Sequence, residues 1–260
     1  MTYPAATAFD PPRDRATPAI GIGDILQRTT RLMAARWPVY GGLLLVADLP
    51  FFGFGILAAL DGSAWTERIN GPNGPLLSGL LTIGGLAALM IAHVAVYVLV
   101  ADEVAGRSVS VAAAFGRALR RSPSLLAIMI LLWLALSIGL VLLVVPCFIL
   151  LSMYAVAGPA CVVEGLGPIR SLSRSAYLTK GNRWRVFGLL LLLYVAIPVV
   201  SGLISYLCRL AVGPLLAQVV NLPVGALLSA ATAVAFTVLY LQLRAAREGV
   251  AVEHVARVFD

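Results

Sequence analysis

The sequence predicts an all-α integral membrane protein with six transmembrane helices. The chain is 60% hydrophobic and 12% charged, with a mean hydropathy of +0.96, whereas soluble domains average about 45–50% apolar and about 25% charged residues. A spanning helix needs ~20 predominantly apolar residues, because lipid offers no hydrogen-bond partner to the backbone. Six segments meet this requirement: 38–60, 75–101, 124–144, 147–163, 186–207 and 222–243.

The third and fourth segments form one apolar run that is too long for a single crossing. We place the break at Val145-Pro146, because proline lacks a backbone donor and disfavours helical geometry in the residue before it. In the second and sixth segments, small residues recur every four positions. This spacing lets helices approach closely, within the bundle or between copies of the chain. The residues are Gly84, Ala88 and Ala92, and Gly225, Ser229, Ala233 and Thr237.

Basic residues are confined almost entirely to one side of the predicted helices. Only Arg68 and Arg209, of 19 lysines and arginines, fall in the loops of the other side. Short cytoplasmic loops retain positive charge. The net charge of +7 therefore indicates a multi-pass protein of the cytoplasmic membrane with both termini in the cytoplasm, rather than a nucleic-acid partner.

Each internal basic segment carries an apolar face at helical spacing, which predicts about three cytoplasmic amphipathic helices in the membrane interface. In the first, GDILQRTTRLMAARWP, Asp24 is the expected N-cap. The first two faces consist of Ile25, Thr29, Leu32 and Met33, and of Val111, Phe115, Ala118 and Leu119. Because one such helix precedes each pair of spanning helices, the chain divides into three helix-plus-hairpin units: 22–102, 106–164 and 167–243.

The third amphipathic helix is predicted in GPIRSLSRSAYLTKGN. Pro168 suits the first turn, Lys180 the last turn, and Gly181 the position just beyond the end. Its apolar face is short and consists of Ile169, Leu172 and Ala176. Ordinary basic loops with an accidental periodicity are the alternative for all three segments.

The spanning region is predicted to form a single domain, residues 21–243. Residues 1–20 contain four prolines and no apolar core segment, so we expect a flexible cytoplasmic tail. Residues 244–260 form a second, short cytoplasmic tail. Cys147 and Cys208 are expected at the outer ends of the helices, where a disulfide is one interpretation and a small apolar side chain is the other.

Two ionisable side chains fall in the middle of predicted spanning helices, Asp48 in the first and His93 in the second. At a rise of 1.5 Å per residue, both lie ~14–15 Å from the cytoplasmic ends. Ionisable groups at this depth are costly and are functional candidates. They could form an ion pair or a proton relay. The alternatives are a structural polar contact between helices and a hydrated Asp48 near the outer interface.

Polar side chains at the cytoplasmic ends are candidates for helix positioning and lipid contact. Asp102, Glu103 and Glu164 are expected to pair with arginines of the amphipathic helices, and a catalytic acid pair is the alternative. Arg170 and Arg174 lie one helical turn apart and suit a lipid phosphate, because guanidinium donors match phosphate geometry. The wider set of candidate headgroup cations adds Lys180, Arg183, Arg185, Arg117, Arg120 and Arg121.

Residues 145–193, VPCFILLSMYAVAGPACVVEGLGPIRSLSRSAYLTKGNRWRVFGLLLLL, resemble a signature of bacterial membrane proteins related to the glycerophosphoryl diester phosphodiesterase membrane domain. In that pattern a proline turn leads through a span to a glutamate, here Pro146 to Glu164. An R-S-x-x-L-T-x-G-x-x-W-R run follows, here Arg174, Ser175, Leu178, Thr179, Gly181, Trp184 and Arg185. The stretches IGDILQRTTRLMAARW and LYLQLRAAREG resemble the start and end of such proteins. The chain departs from the pattern at Cys147, where the pattern has glycine.

The resemblance implies a membrane domain without the enzyme. In some relatives the membrane part is fused to a metal-dependent phosphodiesterase domain, which this chain lacks, so that activity is not carried over. The sequence favours a non-enzymatic inner-membrane protein, a lipid-interacting or accessory component of envelope maintenance. The alternatives are a small transporter or channel-like protein using Asp48 and His93, and a membrane-embedded enzyme acting on lipid headgroups. No cofactor or metal is expected. Anionic phospholipids are the expected partners, with a protein partner or self-association in the membrane as a further interpretation.

Overall fold

The computed structural model describes residues 20–60, 67, 70–107, 110–142 and 144–248. In this part of the chain all regular secondary structure is helical. The predicted N-terminal tail, apart from residue 20, and residues 249–260 of the C-terminal tail lie outside the described residues. The helices are α1 (Ile22–Leu60), α2 (Gly74–Val104), α3 (Val111–Leu142), α4 (Val144–Tyr154), α5 (Ala157–Glu164), α6 (Pro168–Thr179) and α7 (Arg183–Glu248).

Six stretches of these helices are long and apolar enough to cross a membrane. They are Ile22–Pro50, Gly74–Val104, Val111–Ser137, Cys147–Glu164, Arg183–Gly213 and Leu216–Glu248, which follow the predicted segments in number and order. The last helix contains two of the stretches, because α7 is interrupted at Gly213, where φ is +81°. Glycine adopts this left-handed conformation without a steric penalty. The chain therefore turns between the fifth and sixth stretches with almost no loop.

The predicted break in the long apolar run, at Val145-Pro146, lies between the third and fourth spanning stretches, which end at Ser137 and begin at Cys147. Helix α3 is described to Leu142 and α4 from Val144, and residue 143 lies outside the described residues. A second break, at Ala155 and Val156, divides the predicted fourth helix into α4 and α5.

The core lies between α1, α2 and the second half of α7. In the most apolar window of the sixth stretch 56% of the residues are buried, and in the second stretch 44%, compared with 11% in the third and 17% in the fifth. The third and fifth stretches thus form an outer layer with outward apolar side chains such as Trp133 and Leu210. The small-residue stripe of the sixth segment serves packing inside the chain, because Ala233 and Thr237 are buried.

The first amphipathic segment is the N-terminal part of α1. A kink at Arg36 (φ −140°, ψ 30°) separates it from the rest of the helix. Of its predicted apolar face, Ile25 and Leu32 are buried in the protein core. The helix begins at Ile22, so Asp24 lies in the first turn and is not the N-cap. The second amphipathic segment is continuous with α3. Of the three predicted amphipathic segments, only the third is a helix of its own.

Helix α6 covers the third predicted amphipathic segment. Pro168 lies in its first turn as predicted, whereas Lys180 lies just beyond the last turn and not within it. It begins at Pro168 and ends at Thr179, and Gly181 has φ +90° just beyond the end. Of the predicted apolar face, Ile169 is 76% exposed and Leu172 packs against the core. A second face of the helix carries three fully buried hydroxyl side chains at i, i+4 and i+8: Ser171, Ser175 and Thr179. Ser175 and Thr179 have backbone partners in the bundle, at Met153 and Val156, whereas Ser171 donates to the Gly167 carbonyl at the start of its own helix. Cys147 and Cys208 are free thiols.

Candidate functional site

The end of α2 is joined to α1 by a carboxylate with two partners. The Tyr40 side chain is fully buried, and its hydroxyl donates a hydrogen bond to Glu103. Arg36, at the kink of α1, pairs with the same carboxylate at 3.1 Å. Hydrogen bonds from two donors offset the free-energy cost of removing a carboxylate from water. The contact therefore fixes α1 against α2 next to the kink.

The adjacent carboxylate, Asp102, joins α2 to α3. Asp102 is buried, and Arg117 of α3 donates to its Oδ2 atom. Arg107 pairs with Oδ1 at 3.4 Å. The structure thus turns Arg117 inward, although the sequence pattern placed it among the headgroup cations.

A third carboxylate, Glu164 at the end of α5, lies in the largest cluster. Both of its oxygens accept from Arg174 Nε at 2.9 Å, and Tyr240 of α7 donates to Oε1 at 2.7 Å. Arg174 also donates to Glu248, which accepts from Arg244 at 2.8 Å. Burial alone would lower the pKa of Arg174, but hydrogen bonds to Glu248 and Glu164 outweigh it and raise that pKa. Arg174 is therefore a permanent cation committed to protein carboxylates.

The break between α4 and α5 is closed by hydroxyl groups of α6. Ser175 Oγ donates to the Met153 carbonyl at 2.9 Å and accepts from the Val156 N–H at 3.2 Å. Thr179 Oγ1 donates to the same carbonyl at 3.3 Å. A broken helix leaves backbone groups without helical partners, and here α6 supplies them. Arg183 also reaches this break, with its guanidinium 3.6 Å from Met153 Sδ.

These contacts form a polar layer at one end of the helices. We use the name for the cluster around four carboxylates, Asp102, Glu103, Glu164 and Glu248. It joins the kink of α1, the end of α2, the start of α3, α5, α6 and the end of α7. Arg121 extends it by donating to the Gly165 carbonyl at 2.9 Å. Among the described residues, no group of three His, Cys, Asp or Glu side chains could hold a metal ion.

The predicted cations divide into two groups. Arg117, Arg121, Arg174 and Arg183 have partners within the protein, as described above. The other four predicted cations are exposed. They have no side-chain ion pair or hydrogen bond in the described part of the chain: Arg120, Arg170, Lys180 and Arg185. Arg31 of α1 is exposed and unpaired in the same way.

Asp48 and His93 are both partly buried. The charge of Asp48 acts on His93 with no hydrogen bond or ion pair between the two side chains, and a third side chain, from α7, contacts His93. His93 Nε2 lies 3.0 Å from Ser229 Oγ, and Nδ1 lies 2.9 Å from the carbonyl oxygen of Leu89. Three helices thus contribute one polar side chain each to this cluster.

Tyr40 and Tyr240 are site residues that the sequence does not indicate, since tyrosine near a helix end is common at a membrane interface. Ser175 and Thr179 belong to the resembling motif, but the sequence does not reveal their buried role, because a buried hydroxyl stripe and a solvated one look identical in sequence. The sequence predicts only a packing role for Ser229, as a small residue.

The fold and the site together define an all-helical protein with six helices capable of crossing a membrane, tied at one end by a polar layer. A family model described as a domain of unknown function (DUF7847) matches residues 76–247, and the chain belongs to this family. No curated protein and no solved structure matches the chain. The family match does not link the chain to the glycerophosphoryl diester phosphodiesterase membrane domain.

Proposed function

We propose that the protein is a non-enzymatic, multi-pass component of the bacterial inner membrane whose polar-layer end faces the cytoplasm and binds anionic phospholipid headgroups. In this role it would serve envelope maintenance as an accessory protein. One observation carries the proposal. Five exposed cations at the polar-layer end have no acidic partner in the part of the chain that the structure describes: Arg31, Arg120, Arg170, Lys180 and Arg185.

The neighbours of these cations support contact with a membrane interface. Arg185 follows Trp184, which is 85% exposed, and Arg170 follows Ile169. Arg120 similarly follows the exposed side chain of Leu119. Tryptophan beside basic residues is typical of the headgroup region, where the ring enters the apolar boundary and the cation meets phosphate. The pairing of an exposed apolar side chain with a free cation therefore supports headgroup binding.

The orientation is supported by the asymmetry of charge. The described helix ends opposite the polar layer carry Arg209 as an exposed cation, whereas the polar-layer end carries the five free cations and the paired ones. Positive charge is retained on the cytoplasmic side. Both ends of the described chain lie at the polar-layer end, so both termini are proposed to be cytoplasmic.

We also propose kinship with the glycerophosphoryl diester phosphodiesterase membrane domain. What supports it is that the resembling motif has a coherent structural use. Arg174, Ser175 and Thr179 pair with Glu164 and with the broken backbone between α4 and α5. A motif used in this way stabilises a membrane fold without catalysis. It therefore fits relatives that carry the enzyme as a separate domain.

Headgroup binding is tested by a triple variant, Arg170→Gln, Lys180→Gln and Arg185→Gln, in nanodiscs of mixed phosphatidylglycerol and phosphatidylcholine. Each cation near an anionic surface contributes about 1 kcal/mol, so the preference for phosphatidylglycerol should fall at least about fivefold. Lipids co-purified with the protein are counted by native mass spectrometry. The matched control is Arg209→Gln, an exposed cation at the opposite end. An unchanged lipid ratio in the triple variant, or an equal fall in the control, contradicts the proposal.

A further inference from the structure

The intramembrane cluster of Asp48, His93 and Ser229 has no part in headgroup binding. Its depth follows from the polar layer, at a rise of 1.5 Å per residue. His93 precedes Glu103 by ten residues and so lies ~15 Å from the layer, Ser229 precedes Tyr240 by eleven and lies ~16 Å from it, and Asp48 follows Tyr40 by eight and lies ~12 Å from it. All three therefore lie close to the middle of a hydrocarbon core that is ~30 Å thick.

The hydrogen bonds of His93 define where its proton lies. The Leu89 carbonyl can only accept, so Nδ1 at 2.9 Å must carry the proton. In the neutral ring Nε2 is then an acceptor, and the Ser229 hydroxyl at 3.0 Å donates to it. A hydroxyl can also accept, so the same serine can receive a hydrogen bond from Nε2–H if the ring gains a second proton. Ser229 therefore suits both protonation states without moving.

Asp48 supplies the counter-charge for the second state. It is half-buried and has no hydrogen-bond donor among the described residues, and its electrostatic partner is His93. The groups that face His93 are thus Asp48 from α1 and Ser229 from α7, whereas Tyr97, one turn further along α2, interacts with Tyr194. An unpaired carboxylate in lipid is costly, and an imidazolium within electrostatic reach lowers that cost.

We propose that Asp48, His93 and Ser229 form a proton-binding site in the middle of the membrane, with the imidazole Nε2 as the atom that gains the proton. On protonation, Nε2 forms a new N–H bond, Ser229 turns from donor to acceptor, and Asp48 balances the charge. The site goes beyond the lipid-binding role, and it is the kind of group that the alternative of a small transporter would need to couple movement to protons.

Isotope labelling of histidine can report on His93 alone once His254 is replaced, because these two are the histidines of the chain. Full-length protein with His254→Gln and ¹⁵N-labelled histidine is placed in lipid bilayers, and solid-state NMR reads the two ring nitrogens separately. We expect the neutral ring to carry its proton on Nδ1, which is the less common tautomer in water. We also expect a second proton on Nε2 within the range of about pH 4 to 9 over which an imidazole ordinarily titrates.

Three variants separate a proton site from a structural contact. Asp48→Asn removes the counter-charge, so at the pH where half of His93 is doubly protonated in the parent, that fraction should fall about threefold or more. Ser229→Ala should shift the Nε2 resonance. Thr232→Ala is the control, because its hydroxyl bonds only its own helix at Leu228, and it should change neither signal.

A ring that stays neutral across the whole pH range overturns the proposal, as does a neutral ring with its proton on Nε2. An unchanged protonated fraction in Asp48→Asn does the same, provided that the helical circular dichroism of the variant matches that of the parent. These readouts are independent of lipid preference, so failure here leaves the headgroup proposal standing and the reverse also holds.

Discussion

Replacing Ser175 by alanine tests whether α6 stabilises the broken fourth span. The Ser175 side chain is fully buried, and it is the partner of the Val156 N–H and, with Thr179, of the Met153 carbonyl. Ser175→Ala removes the hydroxyl without adding bulk. Both backbone groups then lose a hydrogen-bond partner in a place that water does not reach. The substitution should therefore destabilise the junction of α4, α5 and α6.

The magnitude follows from these two bonds. A buried polar group left without a partner costs about 1–3 kcal/mol. The Met153 carbonyl keeps a hydrogen bond from Thr179 at 3.3 Å, so most of the cost comes from the Val156 N–H. We expect Ser175→Ala to lower the free energy of unfolding by about 2–3 kcal/mol, of which the orphaned N–H contributes the larger share.

The assay is reversible unfolding in bicelles, followed by circular dichroism. Ser173→Ala is the matched control, since Ser173 lies on the same helix, is exposed and has no side-chain hydrogen bond in the described structure. The control should unfold within about 0.5 kcal/mol of the parent, as surface substitutions usually do. If Ser175→Ala and Ser173→Ala unfold alike, the junction does not depend on α6 hydroxyls and the reasoning is refuted.

Two further stability predictions concern the same end of the molecule. Glu164→Gln weakens the partly buried pair with Arg174 and should lower the free energy of unfolding by about 2 kcal/mol in the same assay. A double-mutant cycle with Arg174→Gln should show strong coupling between the two substitutions. Additive effects would contradict the pairing. Gly165→Ala should cost about 1–3 kcal/mol, because Gly165 has φ +69° and an added Cβ would lie 2.6 Å from Arg121 Nη2. Gly167→Ala is its control, with φ −73° and open space around the Cβ, and equal Tm values for the two variants would exclude the steric argument.

The number of spanning helices could be predicted because it depends on local composition. The transfer free energy of an apolar segment into lipid is a sum over its own residues, so windows of about twenty residues suffice. The ends of α6 were equally local, since Pro168 and Gly181 impose their backbone angles on one turn each.

The contacts of the polar layer could not be predicted from local sequence. The sequence contains Arg170 and Arg174 in equivalent positions of α6, one turn apart, and both match a phosphate. Only the approach of α5 and the end of α7 places Glu164 and Glu248 around Arg174, while Arg170 remains exposed. The difference between a structural cation and a free one is set by residues distant in sequence.

The amino-acid sequence by itself therefore determined that this chain is helical, that six of its segments suit a membrane, and that its positive charge is concentrated at one set of helix ends. Tertiary structure alone decided which carboxylate holds which arginine, which hydroxyls close the break at Val156, and that Ser229 stands beside His93. The physical reason is that partition between water and lipid is a property of each segment, whereas a hydrogen bond requires two groups to be brought within about 3 Å of each other, and only the packing of the helices sets that distance.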